Sequence, residues 1–300
     1  MSCTLSLAVT ILCWLTLGSV ERPPRPHIYS IGYVGFKATN LEKSSVFYTG
    51  LLGLRQYPSD RPDASSTSFR IHEFQDLLLI KSDAPVKGSF LESIGFVVDN
   101  LEQMRTFLSS RNVAFSDTTS GPNGPHAISV TDPEGHRIIF LESPLESVIQ
   151  IDSHQQMSNR IIHAGFVVHD RAAEDRFYKD ILGFHLYWQG GRKDDETDFV
   201  NMQVPDGTDW IEYMLNVPTD ADHHTLGAMN HIALGVADIK AAREQLIKNG
   251  WKPGEEPKIG RGGKWMLNLY DPDDTRVEFM EFTPTQKPCC SEYTGPHPKP

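Results

Sequence analysis

Two histidines and two glutamates stand inside apolar runs of this sequence, where burying an ionisable side chain without a partner is costly. His231 opens Met229-Asn230-His231-Ile232-Ala233-Leu234-Gly235-Val236, and His163 lies within Ile161-Ile162-His163-Ala164-Gly165-Phe166-Val167-Val168. Glu212 is embedded in Trp210-Ile211-Glu212-Tyr213-Met214-Leu215, and Glu278 in Arg276-Val277-Glu278-Phe279-Met280-Glu281-Phe282. Each run reads as a buried strand. Two imidazoles and two carboxylates brought together suit one divalent first-row ion, with positions left for water or substrate. Such an ion polarises a carbonyl or stabilises an enediolate, acidifying the neighbouring carbon, and Glu278 or Glu212 serves as the base. Glu281, three residues past Glu278, falls on the opposite strand face by alternation. It is read, with Glu142, as structural or solvated.

Positioning such a set requires a framework, and the sequence writes that framework twice. Phe47-Tyr48 recurs as Phe177-Tyr178 and Leu52-Gly53-Leu54 as Leu182-Gly183-Phe184, at a constant offset of 130 residues. Ile94-Gly95-Phe96-Val97-Val98 resembles Ile232-Ala233-Leu234-Gly235-Val236, and Asp132-Pro133-Glu134-Gly135 resembles Asp271-Pro272-Asp273-Asp274. The chain is a tandem duplication. Each copy reads as strand, helix and strands, then the same again, with helices expected over Asn40–Leu52, Arg171–Leu182 and Ile239–Asn249. In alignment, His163 stands opposite Tyr33, Glu212 opposite about Leu79, His231 opposite Ser93 and Glu278 opposite Ile139. Incidental core histidines would not vary as a set. Copy two therefore carries the chemistry, and copy one is scaffold, lid or dimerisation half.

The 300 residues exceed what one core usually organises, so two modules are expected over residues 28–145 and 160–283, joined by a polar linker at 146–159. A net charge of −11 without a basic stripe argues against nucleic acid and anionic membranes as partners. Residues 1–20 carry no charged side chain and read as a secretory signal peptide, or as an uncleaved anchor, followed by a proline-rich linker at 21–27. Export, to a periplasmic or extracellular location, is the expectation. Five prolines and two lysines from Pro284 onward predict a disordered tail, 284–300. All four cysteines lie outside residues 21–288, so a core metal site must use nitrogen and oxygen donors.

These residues resemble the vicinal oxygen chelate superfamily, which contains glyoxalase I, extradiol dioxygenases and bleomycin-resistance proteins. The resemblance spans about Ile28 to Thr283. It implies an α+β fold of paired βαβββ units whose curved mixed sheets enclose a metal cavity. It also implies the ligand order His163, Glu212, His231, Glu278, holding one divalent ion from among Ni, Co, Zn, Mn and Fe. The family's Phe-Tyr and Leu-Gly helix signature matches Phe177-Tyr178 and Leu182-Gly183. Its Asp-Pro-x-Gly turn has lost the glycine at Asp274. A complete tetrad requires closure within copy two, or exchange with copy two of a second molecule, and the first is favoured.

The resemblance then implies a glyoxalase-like lyase or isomerase acting on a small hydroxycarbonyl substrate, because the dioxygenase branch uses two histidines and one glutamate. An iron-dependent extradiol-type dioxygenase with the triad His163, His231 and Glu278 is the alternative. Against it, Gly260-Arg261-Gly262-Gly263-Lys264-Trp265 has no histidine where the resemblance implies that branch places an acid/base before the Leu269-Tyr270 strand. A non-catalytic small-molecule-binding module is the third reading. Arg261 and Lys264 are candidate substrate clamps on a glycine-rich loop, with Tyr270 and Trp210 as further wall residues and Tyr187 and Trp188 beside them. His72, His126 and His136 share no spacing, His223-His224 follows Asp220-Ala221-Asp222 in a polar loop, and all five are read as solvated. The partners to expect are a small-molecule substrate and, as one arrangement, a second copy in a homodimer.

Overall fold

Runs that alternate between core and solvent, or are buried on both faces, build two separate eight-stranded sheets in this computed structural model, which describes residues 22–57, 65–82, 91–119, 126–142 and 156–300. The first sheet contains β1 (Ile28–Ala38), β2 (Arg55–Tyr57), β3 (Ser66–His72), β4 (Gln75–Lys81), β5 (Leu91–Val98), β6 (Ser116–Thr119), β7 (His126–Thr131) and β8 (Arg137–Glu142). The second contains β9 (Ile161–Val167), β10 (His185–Gly190), β11 (Phe199–Gln203), β12 (Trp210–Met214), β13 (His231–Val236), β14 (Lys258–Ile259), β15 (Trp265–Tyr270) and β16 (Arg276–Glu281). Their spatial orders are β2-β3-β4-β1-β5-β8-β7-β6 and β10-β11-β12-β9-β13-β16-β15-β14, so the duplication read in the sequence is a duplication of topology. The class is α+β, as expected.

In each sheet the first strand of each half joins its neighbour antiparallel, β1 with β5 and β9 with β13. The last strand of the first half returns parallel to the first, β4 beside β1 and β12 beside β9. Parallel return demands a long crossover, and helices supply it. They are α1 (Leu41–Ser45, continuing as π-helix over Val46–Leu51), α2 (Leu101–Ser110), α3 (Arg171–Glu174, continuing as π-helix over Asp175–Ile181), α4 (His223–Met229) and α5 (Ile239–Lys248). Asn40, Asn100, Asp170, Asp222 and Asp238 cap them, each side chain accepting a backbone N–H from inside the first turn. Asp222 turns the segment read as a polar loop into the start of α4. Both halves of the second sheet come from copy two, so its cavity closes within the module.

The repeated motifs join the modules. Tyr48 donates to Asp271 Oδ2 at 3.0 Å, and Tyr178 donates to Asp132 Oδ2 at 3.1 Å, so each copy's helix tyrosine grips the other copy's Asp-Pro turn. Gln75 adds a buried bridge: its amide donates to Ile31 O and Ile161 O, and its carbonyl accepts Ile161 N at 2.7 Å. One apolar core extends through both modules.

The segment 284–300, expected to be disordered, is packed instead. Tyr293 lies against Tyr187 with ring centroids 4.7 Å apart and donates to Gly262 O at 2.9 Å. Thr294 N donates to Tyr187 O, and Gln203 donates to Pro296 O. Prolines cost this segment donors, but Tyr293 finds a partner on β10, and the amides of Thr285, Gln286, Cys289 and Thr294 find theirs on the loop at Arg261 and Gly263 and on β10. Cys289 and Cys290 form a disulfide between adjacent residues, with Trp188 Nε1 donating to Cys289 O. The apolar stretch read as a signal, and residues 146–155 of the expected linker, lie outside the described residues. No helix among the described residues is long and apolar enough to cross a membrane.

Candidate metal centre

Register brings the four polar residues onto one patch of the second sheet. Glu212 and His231 both pair with Gly165, on opposite sides of β9, while His163 pairs with Ala233, which in turn pairs with Glu278. The four therefore occupy four adjacent strands, β12, β9, β13 and β16. Gly165 makes room for the histidine. A Cβ at this position would lie 2.0 Å from His231 Cε1, inside the imidazole ring's own space.

The donor atoms converge. His163 Nε2 lies 3.0 Å from His231 Nε2, and Glu212 Oε2 lies 3.8 and 3.3 Å from those two nitrogens. Glu278 Oε2 reaches them at 4.0 and 3.7 Å. One ion holding ligands at about 2.1 Å spaces them about 3.0–3.4 Å apart, so the observed separations are those of a cluster that small movements would close on a cation. His231 Nδ1 lies 3.1 Å from Met229 O, an arrangement that puts the ring proton there and leaves the Nε2 lone pair facing the cluster. With its amide turned to match its neighbours, Asn201 donates to Glu212 Oε1 at 2.9 Å and accepts from Trp210 Nε1 at 3.1 Å. Trp210 in turn stacks on the His163 ring at 4.8 Å.

Burial holds both imidazoles well below their ordinary pKa, which keeps them neutral and able to donate a lone pair. It also pushes Glu278 up to about 7, against the opposing pull of Arg276. Among the buried polar atoms, His163 Nδ1 and Glu278 Oε1 have no hydrogen-bond partner. The guanidinium of Arg276 sits 2.8 Å from His231 Nε2 and 3.7 Å from Glu278 Oε2, a cation drawn toward the same donors. Neutral nitrogens, carboxylates and an attracted positive charge fit a divalent ion. The tightest group is His163, Glu212 and His231, with Glu278 at its edge.

Beside the cluster opens a cavity of about 390 Å³, walled by Trp188, Trp210, Lys264, Arg276, Glu278 and Tyr293 among others. Lys264 Nζ lies 4.7, 5.3 and 5.5 Å from the rings of Trp210, Tyr293 and Tyr187, and burial lowers its pKa to about 7. Arg261 also lines the cavity, but its guanidinium is engaged by Gly191 O and Asp194. Tyr270, expected as a wall residue, does not line this cavity. It sits at the end of β15 opposite Arg276, and its ring stacks on His224.

The first module shows what the same backbone does without donors. Gly35 pairs with Leu78 as Gly165 pairs with Glu212, so Leu78 is the counterpart of Glu212, one residue from the expected Leu79. Tyr33, Leu78 and Ile139 pack with Ala127 into an apolar plug, and Ser93 Oγ donates to Tyr33 OH at 3.4 Å. Sequence reasoning missed Asn201, Arg276 and Tyr293. An amide within Phe199-Val200-Asn201-Met202 carries the signal that singled out His163, and Arg276 shares a face with Glu278 by two-residue alternation. Tyr293 had no such signal.

Residues 160–279 match the family model of the Glyoxalase/Bleomycin resistance protein/Dioxygenase superfamily. A lactoylglutathione lyase of Haemophilus influenzae is 29% identical over 129 residues, covering 42% of this chain and 96% of that protein. A probable chloroplastic lactoylglutathione lyase of Arabidopsis thaliana is 28% identical over 137 residues, 44% of this chain but only 38% of the plant protein. In fold, the chain is similar to the 2,3-dioxygenase LapB from Pseudomonas sp. KL28, with a TM-score of 0.66 at 16% identity over 92% of this chain and 96% of that one. An extradiol ring-cleaving dioxygenase from B. fuscum gives a TM-score of 0.64 at 21% identity over 91% of this chain and 76% of that one.

Proposed function

Because the chain belongs to the glyoxalase/bleomycin resistance/dioxygenase superfamily, we propose that its second module is a divalent-metal-dependent lyase or isomerase of the glyoxalase type, acting on a small anionic hydroxycarbonyl compound. The observation that carries this reading is the fourth donor. Glu212 is held toward both imidazoles by Asn201, where a facial triad of two histidines and one carboxylate would need no such residue.

His163, His231, Glu212 and Glu278 would hold the ion, with Met229 O and Asn201 fixing two of the four. Bound there, a divalent ion supplies polarisation of a substrate carbonyl and stabilisation of negative charge developing on its oxygen. Glu278 is suited to move the proton. Its Oε1 has no partner, and a carboxyl raised to about 7 both accepts a proton from carbon and returns it near neutrality. Glu212, tethered by Asn201, is less free to do so. Lys264 and Arg276 draw an anionic group into the cavity, while Trp188, Trp210 and Tyr293 exclude water from the proton in transit.

A second reading is an iron-dependent extradiol-type dioxygenase using His163, His231 and Glu278. It is favoured by the two-module fold shared with the dioxygenases above. Against it, the residues lining the cavity include no further histidine to act as a second acid or base. The identity of the bound metal and two single variants separate the readings. For the lyase, Glu212→Ala and Glu278→Ala both abolish conversion of an α-hydroxycarbonyl thiol adduct, and the metal is nickel, cobalt or zinc. Oxygen uptake with catechols under iron loading, lost in Glu278→Ala but kept in Glu212→Ala, would establish the dioxygenase instead. Export remains part of the proposal, and an oxidised pair at Cys289 and Cys290 suits an oxidising compartment.

A further inference from the structure

We propose that Asp132, His136 and Glu174 form a second divalent-cation site, which clamps the two modules to each other and takes no part in turnover. Asp132 and His136 flank the turn before β8 in the first module, and Glu174 ends α3 in the second. One ligand atom from each lies within 4.8 Å of the other two. Sequence reasoning took His136 for solvated. In fact its Nδ1 lies 2.9 Å from Asp132 Oδ2, and its ring packs on Phe166 with centroids 4.6 Å apart.

The second observation is an orphaned oxygen. Glu174 is fully buried, and while Oε1 accepts Glu134 N at 2.9 Å, Oε2 has no hydrogen-bond partner among the described residues. The remaining acceptors of the turn are committed. Asp132 Oδ1 takes the amides of Glu134 and His136, and the Glu134 carboxylate takes those of His169 and Asp170. Two buried carboxylates this close repel unless a proton or a cation lies between them. Burial, then the neighbouring Asp132, raises Glu174 to about 8. An imidazole nitrogen beside two carboxylates makes an N,O,O set of the kind zinc and manganese accept.

Pseudo-symmetry supplies the control. The reciprocal junction, where Tyr48 meets Asp271, carries Ser44 in place of Glu174 and Thr275 in place of His136, both fully buried. Packing at this junction is thus met by serine and threonine. Each turn carries two acids at matching positions, Asp132 with Glu134 and Asp271 with Asp273, so the further buried acid and the imidazole found at one junction only are beyond what packing needs.

The test uses the full chain, stripped with chelator, in a His163→Ala/His231→Ala background that disables the other centre. Calorimetric titration with Zn²⁺ and with Mn²⁺ should show about one ion bound per chain, since a three-residue site holds one, and a zinc-dependent rise in Tm. Adding Glu174→Ser or His136→Thr, the residues the fold already accepts at the reciprocal junction, should weaken binding at least tenfold and remove the rise. Should the serine variant fail to fold, Glu174→Gln keeps the volume, removes the charge and should show the same loss. No uptake of either ion by the background protein, or undiminished affinity in the Glu174 variants, would overturn the proposal. Neither result bears on the catalytic reading, whose metal content is measured with His163 and His231 intact.

Discussion

Replacing Gly165 with alanine should disable the catalytic centre without removing any of its donors. The added methyl would lie 2.0 Å from His231 Cε1, 2.3 Å from Nδ1 and 2.8 Å from Nε2. Ordinary contact begins at 3.4 Å, so the ring must retreat by about 1.4 Å. It cannot do so and keep its bond to Met229 O, which is already 3.1 Å long. Metal ligation tolerates about 0.2 Å. Disturbing an outer partner of a ligand already costs about 10- to 100-fold in metal affinity, so displacing the ligand itself should cost at least about 100-fold. Overpacking should add a destabilisation of about 1–3 kcal/mol. Affinity is read by competition with a chromogenic chelator, and stability by thermal unfolding with and without chelator. The paired control is Gly35→Ala in the first module, where the methyl meets Ser93 Oγ at 3.0 Å and a hydroxyl can rotate aside. Its metal affinity should equal that of the unmodified protein. If, with the second site removed by Glu174→Ser in both proteins, Gly165→Ala binds metal within threefold of its parent, the assignment of His231 as a ligand is wrong.

Three further outcomes are expected. His231→Ala should lower metal content by about one ion per chain and remove activity while Ser93→Ala changes neither, and a metal content in His231→Ala equal to that of the unmodified chain in elemental analysis would count against the centre. Gln75→Ala leaves Ile31 O, Ile161 O and Ile161 N without their buried partner. At about 1–3 kcal/mol for each uncompensated group, it should destabilise by about 3 kcal/mol in urea unfolding, and a loss under about 1 would contradict the bridge. Acid should loosen the N-terminal segment. Burial tends to raise Asp206, yet bonds from Arg25, Ile28 N and His27 hold it down at about 2. Its folded pKa lies below the unfolded one, so its stabilisation is complete above the unfolded value of 3.8 and fades as pH falls toward 2. The protection of the Ile28 amide, its exchange rate taken relative to the intrinsic rate at each pH, should fall across that window in the unmodified chain and be low and independent of pH in Asp206→Asn.

Period and repetition carried most of the fold into the sequence. Buried runs gave the strands of the second sheet because each keeps its polar residue at a position the register can use. The Phe-Tyr and Asp-Pro motifs were legible as repeated text, but not their purpose. Tyr48 and Asp271 are 223 residues apart, and nothing local says that one reaches the other. The four donors stood out because burial makes an unpaired charge expensive, and Asn201 carried the same signal more faintly, since an amide is cheaper to bury. Composition misled at the C-terminal segment. Proline content measures lost donors and reduced regularity, whereas Tyr293 is held by a neighbouring ring and a carbonyl. The helix His223–Met229 was missed because its apolar residues, Leu226, Ala228 and Met229, all fall toward the end of seven residues, too short a stretch for a period to show.

The apolar plug of the first module bears on the history of the pair. Restoring a metal centre there would mean exchanging Tyr33, Leu78, Ser93 and Ile139 together, because a single ligand introduced among Leu78, Ala127 and Ile139 would be buried without the other donors it needs. Each intermediate would be less stable than either end state, by about 1–3 kcal/mol for every stranded polar group. Once the copies diverged, any path between them had to climb through those intermediates. The two halves are kept apart by a barrier that mutation one residue at a time does not easily cross.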